Sequence, residues 1–369
     1  MTLGEYFDIR SNSLNSQRLL FATIVIVSHS WPVAGVPGEP TLGDMNYGEI
    51  SVAGFFAISG YLITGSRLSN SLVPYFRARV LRIFPGFWIC LAVSAFIAAP
   101  ITAAIRGMDS WNVASAFGYL YNNFTLVIQQ WGIAATLNGM PRTEWNGPIW
   151  TLMYEFACYV LVALVLSVPF FRNRWAVLSV FVFFTGACAG NLTLHSSGFY
   201  INAKIENMIE FGAFFFAGAV VFMFRSQLPA SPVLAFFAAV TSAAAIWLNL
   251  GNVVAPIAVA YLCIWTSARF PRLLVERIGD GTIDISYGMY VYGWMVQQLV
   301  VVLGLNDAGI GVMICASVLG TVPIAVASWF LVEKQALRFK KTRRPIDVDL
   351  NTALLSRRGT RSAGWRLLG

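Results

Sequence analysis

Seven long stretches of this chain contain no Asp, Glu, Lys or Arg. They cover residues 19–38, 83–105, 110–141, 175–203, 226–268, 285–306 and 308–332. A helix needs about 20 mainly apolar residues to cross the hydrocarbon core of a bilayer. Backbone groups in lipid must be hydrogen-bonded within the protein, which leaves helices or a closed β-barrel. The stretches lack the apolar–polar alternation of barrel strands, so the sequence predicts an all-α, polytopic membrane helix bundle.

The composition agrees with a membrane protein. Only 11% of the 369 residues are charged and 57% are hydrophobic, whereas soluble domains are about 25% charged. The five cysteines lie far apart and form no C-x-x-C pair. Such a pattern is typical of buried free thiols, so we predict no disulfide and no metal site.

Turn-forming residues divide the apolar blocks into ten predicted spans. These are residues 19–36, 50–66, 83–104, 147–168, 174–190, 205–224, 232–248, 252–268, 283–304 and 310–331. The block at 111–135 is ambiguous, because it is long enough to cross but carries Asn122, Asn123, Gln129 and Gln130 near its middle. We predict that it is a re-entrant or interfacial segment.

The loop charges support this assignment. Lys and Arg accumulate on the cytoplasmic side of a membrane protein. With the N-terminus inside and 111–135 not crossing, 22 of the 25 basic residues are cytoplasmic. We therefore predict a cytoplasmic N-terminus at 1–18, a membrane domain at 19–333 and a basic cytoplasmic tail at 334–369, in the bacterial inner membrane. The net charge of +8 is explained by the basic residues that orient the protein in the membrane and by a basic tail that can contact anionic lipid. No nucleic-acid partner is therefore predicted.

Ionisable side chains within spans are costly and mark candidate functional sites. His29 follows Arg18 by eleven residues, about three full helical turns, so both face the same side about 16 Å apart. We interpret them as an anion-binding guanidinium and an acid–base imidazole; the alternative is a snorkelling arginine and a structural histidine. Glu155 lies about 12 Å below the opposite end of its span. At that depth we expect it to contact His29 and raise the basicity of the imidazole.

Three other groups of residues are candidates. Arg79 and Arg82 share a helix face and, next to Arg18, would form a phosphate cradle or serve only as an orientation signal. Ser59 and Gly60 belong to a small-residue pattern that favours helix packing. Two carboxylates at the outer end of a span would contact a substrate or form a solvated collar: Glu206 and Glu210. His195 is predicted to be a plain surface residue.

Four motifs in this order resemble the acyltransferase-3 family, bacterial integral-membrane enzymes that acylate surface glycans. They are Arg18-x10-His29, Phe55-Phe-Ala-Ile-Ser-Gly-Tyr-Leu62, the Arg79/Arg82 block before Pro85, and Trp150-Thr-Leu-Met-Tyr-Glu155. The later Ser286-Tyr-Gly-Met-Tyr290 and Val332-Glu-Lys334 agree more weakly. Gly293 stands where the family usually has a histidine, and Gln335 where it has a proline, so no catalysis is assigned to the late segment.

The resemblance implies an acyl-CoA donor that binds as a substrate from the cytoplasm. Three arginines would hold its phosphates: Arg18, Arg79 and Arg82. Ser59 and Gly60 would line its channel, His29 would be the general base or acyl carrier, and Glu155 would orient it. Four residues are predicted to bind the acceptor: Trp150, Tyr154, Glu206 and Glu210.

The predicted reaction moves an acyl group, with acetyl favoured, from acyl-CoA to a hydroxyl of a surface polysaccharide or lipid-linked glycan. The alternative is a glycolipid or polysaccharide flippase in which His29 and Glu155 form a proton relay. The absence of an internal repeat and the arginines clustered at one end favour the enzyme.

Overall fold

The computed structural model describes residues 1–8, 11–108, 110–169, 172–269 and 283–340. Its helices are α1 Leu3–Tyr6, α2 Leu14–Ala34, α3 Tyr47–Ser69, α4 Leu72–Ile105, α5 Val113–Asn122, α6 Gly147–Val165, α7 Arg174–Ser196, α8 Ala203–Phe224, α9 Pro232–Trp247, α10 Gly251–Arg269, α11 Ser286–Val302 and α12 Ile310–Arg338. A two-stranded antiparallel hairpin precedes α3, with β1 at Thr41–Leu42 and β2 at Met45–Asn46. The predicted all-α membrane bundle is confirmed.

Seven helices of the described residues are long and apolar enough to cross a membrane. They are α3, α4, α6, α7, α8, α10 and α12. The other three predicted spans correspond to α2 with 21 residues, α9 with 16 and α11 with 17. The count of ten crossings remains a prediction.

The ambiguous block at 111–135 does not form a spanning helix. Its helix α5 has 10 residues, about 15 Å in length, and the chain then runs through consecutive turns. The Asn123 side chain accepts hydrogen bonds from the backbone N–H groups of Gln129 and Gln130 and donates to the Gln130 carbonyl. The polar residues that made this block ambiguous therefore close a loop, in line with a segment that does not cross.

Helix α2 packs against α3, α11 and α12, and α3 crosses α8 closely. Gly60 of α3 and Gly218 of α8 make the close crossing possible. A Cβ on Gly60 would collide with the Phe215 carbonyl oxygen, and one on Gly218 with the Ala57 carbonyl oxygen. Gly60 thus faces the backbone of α8, which agrees with the packing role that the small-residue pattern favours. Its place in a donor channel remains a prediction.

Other predictions concern the tail and the thiols. The predicted tail begins inside the last helix, because α12 continues to Arg338. Residues 341–369 lie outside the described residues, and so do residues 270–282 with Arg272 and Arg277. All five cysteines are free. Four are buried, whereas Cys315 is exposed on the surface of α12, so the prediction of buried thiols is wrong there.

Candidate active site

Helix α2 carries Arg18 and His29 into different cavities. Arg18 lines a cavity of about 60 Å³, called here the arginine-side cavity, together with Arg82, Glu155 and Tyr159. His29 lines two cavities of about 410 and 440 Å³, called here the smaller and larger histidine-side cavities. One helix therefore presents a guanidinium and an imidazole to separate chambers.

A hydrogen-bonded chain joins three helices at the arginine-side cavity. The Glu155 Oε1 atom accepts hydrogen bonds from the Ser59 hydroxyl at 2.7 Å and the Tyr159 hydroxyl at 2.5 Å. The Arg18 guanidinium donates to the Ser59 hydroxyl oxygen at 3.4 Å. Ser59 of α3 thus connects Arg18 of α2 to Glu155 of α6. The carboxylate organises the surroundings of the guanidinium through a neutral hydroxyl.

The predicted contact between His29 and Glu155 is wrong. Among the described residues no hydrogen bond or ion pair joins them, and they line different cavities. Instead the His29 ring lies edge-on to the Trp294 ring, with 5.1 Å between centroids. Helical rise gives the depth of a side chain but not its direction around the helix axis. Instead, the hydroxyl groups of Ser59 and of Tyr159, one turn further along α6, satisfy the Glu155 carboxylate.

The three predicted phosphate-binding arginines have different surroundings. Arg82 forms ion pairs with Asp284 at 2.5 Å and with Glu333 at 3.7 Å. Arg79 lies over the rings of Tyr75 and Tyr159. The Nε atoms of Arg18 and Arg79 are buried, and they have no hydrogen-bond partner among the described residues. Arg18 and Arg79 therefore retain unused donors for an anion, whereas two carboxylates already neutralise Arg82.

Lys340 is a basic residue near this cluster that the sequence interpretation treated only as part of the tail. Partial desolvation and the positive charges of Arg79 and Arg82 lower the pKa of its amino group. Because the C-terminal part of α12 packs against α4, which carries both arginines, the chain just after α12 lies near the arginine cluster. This proximity could not be read from the sequence, since Lys340 lies far from both arginines along the chain.

The smaller histidine-side cavity contains two carboxylate side chains, Glu39 and Glu144, beside His29. Glu39 accepts a hydrogen bond from the Ser28 hydroxyl at 2.5 Å. The Oε2 atom of Glu144 is buried, and the part of the chain that the structure describes offers it no hydrogen-bond partner. Trp294 holds the loop that carries Glu144, because its indole N–H donates to the Glu144 carbonyl oxygen at 2.8 Å. These carboxylates share the chamber with the imidazole, as Glu155 was expected to do.

The larger histidine-side cavity combines polar and aromatic side chains. Its lining includes Asp44, Glu49, Asn207, Glu210, Asn252, Trp150 and Phe211. Trp150 also lines the smaller cavity, and Tyr154 is buried edge-on behind it, with 5.5 Å between ring centroids. Of the predicted acceptor residues, Trp150 and Glu210 therefore face the chamber that His29 shares, and Tyr154 supports Trp150.

Glu206, unlike Glu210, does not line the larger histidine-side cavity. Its carboxylate accepts a hydrogen bond from Asn191 at 2.9 Å and lies 3.2 Å from the His195 imidazole. Both partners belong to α7. Glu206 therefore contacts a neighbouring helix, and His195, predicted as a plain surface residue, is its partner.

Three residues line both the arginine-side cavity and the larger histidine-side cavity. They are Val52, Thr151 and Tyr290. Tyr290 stands within the Ser-Tyr-x-x-Tyr segment, but no role was assigned to it from the sequence. The four-residue spacing of Glu155 and Tyr159 could have indicated their hydrogen bond, because residues four apart in a helix are neighbours.

The sequence profile of the acyltransferase domain, acyltransferase-3, matches residues 11–332. The chain therefore belongs to this family, which confirms the resemblance drawn from its motifs. It is 26% identical over 358 residues to the O-acetyl transferase of Shigella phage Sf6, covering 92% of this chain and 99% of the relative. It is also 26% identical over 374 residues to Nodulation protein 10 of Rhizobium leguminosarum bv. viciae, covering 91% and 96%. No solved structure matches the chain. The protein is a multi-pass membrane O-acyltransferase.

Proposed function

We propose that this protein transfers an acetyl group from cytoplasmic acetyl-CoA to a hydroxyl of a surface polysaccharide or lipid-linked glycan at the other face of the bacterial inner membrane. The observation that carries the proposal is the placement of Arg18 and His29, which one helix brings to chambers that share a wall. The relative named O-acetyl transferase supports acetyl as the transferred group.

The arginine-side cavity is the proposed donor site. Coenzyme A carries phosphate groups, and guanidinium binds phosphate through paired charge-assisted hydrogen bonds. Among the described residues the Nε atoms of Arg18 and Arg79 have no hydrogen-bond partner. Arg18 lines the cavity, whereas Arg79 lies beside its lining residue Tyr159 and would add positive charge nearby, as would Lys340. Arg82 acts instead as a positioning residue, because its charge is engaged by Asp284 and Glu333.

Glu155 and Ser59 belong to the donor site in this proposal. Glu155 fixes the Ser59 hydroxyl, and that hydroxyl contacts the Arg18 guanidinium. The carboxylate therefore orients the arginine without forming a direct ion pair with it. An ion pair would compete with phosphate, whereas the hydroxyl leaves the positive charge of Arg18 available.

His29 is the proposed general base. It accepts the proton of the sugar hydroxyl, the oxygen attacks the thioester carbonyl, the C–S bond breaks and coenzyme A leaves as the thiolate. General-base assistance of this kind contributes about 10²–10⁴-fold to a rate. An acyl-histidine intermediate would use the same imidazole as the nucleophile. Glu39 and Glu144 are the carboxylates that share its smaller cavity, and Trp150 offers an aromatic face to a sugar ring.

The flippase alternative depends on a proton relay between His29 and Glu155. Glu155 is engaged by Ser59 and Tyr159, and the two residues line different cavities. Without that contact, the specific argument for a transporter is lost. The acyltransferase function instead requires that the donor thioester and the acceptor hydroxyl meet where the two chambers share a wall.

Replacement of His29 tests the function, and the second histidine of the chain supplies the control. We expect His29→Ala to lower glycan acetylation by about 10²–10⁴-fold at unchanged membrane abundance. His195→Ala should retain wild-type acetylation, because His195 contacts Glu206 away from the chambers that His29 lines. The measurement is mass spectrometry of surface polysaccharide from cells that express each variant.

Retained acetylation in His29→Ala at normal abundance would remove the histidine from the mechanism. Equal losses in the two variants would show that acetylation depends on general integrity of the fold. A deletion strain with unchanged polysaccharide would contradict the glycan acceptor itself.

A further inference from the structure

The wall between the donor and histidine chambers contains a pair of hydroxyl groups. The Thr151 Oγ1 atom lies 2.5 Å from the Tyr290 hydroxyl oxygen, and each is 3.1 Å from the Pro148 carbonyl oxygen. Thr151 and Tyr290 are 6% and 8% exposed. One hydroxyl donates to the carbonyl and the other donates to its neighbour, so the pair is satisfied without water.

The position of this pair is fixed from several sides. Thr151 is on α6 and Tyr290 is on α11, so the hydrogen bond connects two helices across the wall. The Phe55 ring packs edge-on against the Tyr290 ring, with 5.8 Å between centroids. Val52 of α3 completes the shared lining. An aromatic ring held by a hydrogen bond and a ring contact has little freedom to move aside.

We propose that Tyr290 and Thr151 form the constriction that sets the size of the transferred acyl group. This inference rests on the proposed function, in which the acyl carbon must pass from the arginine-side cavity toward His29. The tyrosine ring and the threonine methyl group reduce the cross-section of the passage where the two chambers meet. A two-carbon acyl group passes this point, and a longer chain collides with the ring.

The test measures release of coenzyme A from acetyl-, propionyl- and butyryl-CoA by the purified full-length chain in lipid nanodiscs with host glycolipid extract. We expect the wild type to prefer acetyl-CoA over butyryl-CoA by about tenfold or more, since a single methylene in a tight pocket has an effect of this order. Tyr290→Ala should lower that ratio to near unity by raising butyryl transfer. Tyr290→Phe keeps the ring and should keep the preference.

Two further variants make the result specific. Tyr292→Ala removes a buried ring of the same helix that belongs to neither lining, and it should retain the wild-type ratio. Thr151→Ala widens the same constriction from α6 and should also lower the preference for acetyl-CoA over butyryl-CoA. This variant therefore tests the constriction if Tyr290→Ala does not accumulate in the membrane.

An unchanged ratio in both widened variants, with acetyl transfer still measurable, would overturn the constriction. An equal shift in Tyr292→Ala would overturn it as well, because the effect would then reflect general loosening. If the wild type releases no coenzyme A from any of the three thioesters, the proposed function fails, and that outcome differs from an unchanged ratio in active variants.

Discussion

Three arginines that look alike in the sequence have different partners in the structure. Arg82 is paired with two carboxylates, and Glu333 is almost completely buried. Arg18 donates a hydrogen bond to the Ser59 hydroxyl, and its Nε atom has no hydrogen-bond partner among the described residues. The sequence places all three near one end of the bundle. It could not reveal their partners, because Asp284 and Glu333 belong to a distant part of the chain.

This difference predicts opposite phenotypes for two alanine variants. Arg82→Ala leaves two carboxylates without their partner, and we expect a loss of about 3–5 kcal/mol in the free energy of unfolding. Arg18→Ala should leave stability near the wild type but weaken acetyl-CoA binding about ten- to 100-fold, the effect of losing a charge-assisted hydrogen bond. Thermal unfolding in detergent and calorimetric titration with acetyl-CoA measure the two quantities.

Arg77→Ala is the matched control, because Arg77 is exposed on the same helix as Arg82. It should change neither quantity. Normal stability of Arg82→Ala combined with a large loss of acetyl-CoA affinity would show that Arg82 binds phosphate after all, as the motif predicts.

His29 illustrates what spacing can and cannot establish. The spacing from Arg18 predicted that the two side chains face the same side of one helix, and each of them reaches a cavity. The partner of the imidazole was not predictable, because it depends on how α2, α6 and α11 are rotated against each other. The Trp294 ring that packs against His29 comes from α11, in a distant part of the chain.

At the scale of elements, the crossing of α3 and α8 is fixed by backbone contact at two glycines. Gly60→Ala would place a methyl group against the Phe215 carbonyl oxygen. Overpacking usually costs about 1–3 kcal/mol, and here both helices must separate to relieve it. We expect reduced folded protein in the membrane and a lower thermal unfolding temperature.

The control is Gly186→Ala in the middle of α7, where the added methyl group meets open space. It should be neutral or slightly stabilising, since alanine is favoured over glycine in a helix by up to about 1 kcal/mol. Quantitative immunoblotting of membranes, with unfolding temperature in detergent, compares the pair. Equal stability of the two variants would contradict the close crossing.

Prediction from the sequence was most successful for the elements themselves. Long charge-free blocks located the helices, because a spanning segment has few other ways to satisfy its backbone. The segment after α5 was harder to predict from the sequence, because apolar and amide residues follow each other there without a regular repeat. Only the folded loop shows that Asn123 uses its side chain to close the turn.

At the scale of the whole molecule, the chambers are arranged from one end of the bundle to the other. The proposed direction of transfer requires the arginine-side cavity to open to the cytoplasm. The excess of basic residues predicts this orientation. The two ends should then be distinguishable by reporters fused to loops at opposite ends of α8.

We expect alkaline phosphatase to be active when it is fused after Gly198, between α7 and α8, and inactive when it is fused after Leu228, between α8 and α9. The enzyme folds only outside the cytoplasm, so its activity reports the side of each loop. A green fluorescent protein at the same positions should give the reverse pattern. Phosphatase activity only in the fusion after Leu228 would show that the orientation is the reverse of the predicted one, with the histidine-side cavities toward the cytoplasm.

The start of the chain is attached to a loop formed much later. The Leu3 amide donates to the Leu228 carbonyl oxygen, the Gly4 amide to the Arg225 carbonyl oxygen, and the Ala230 amide to the Met1 carbonyl oxygen. A ribosome must synthesise the chain through α8 and into the loop that follows it before these bonds can form. The first helices are therefore inserted before their end of the bundle is closed, and assembly of the enzyme depends on α8 reaching the bilayer.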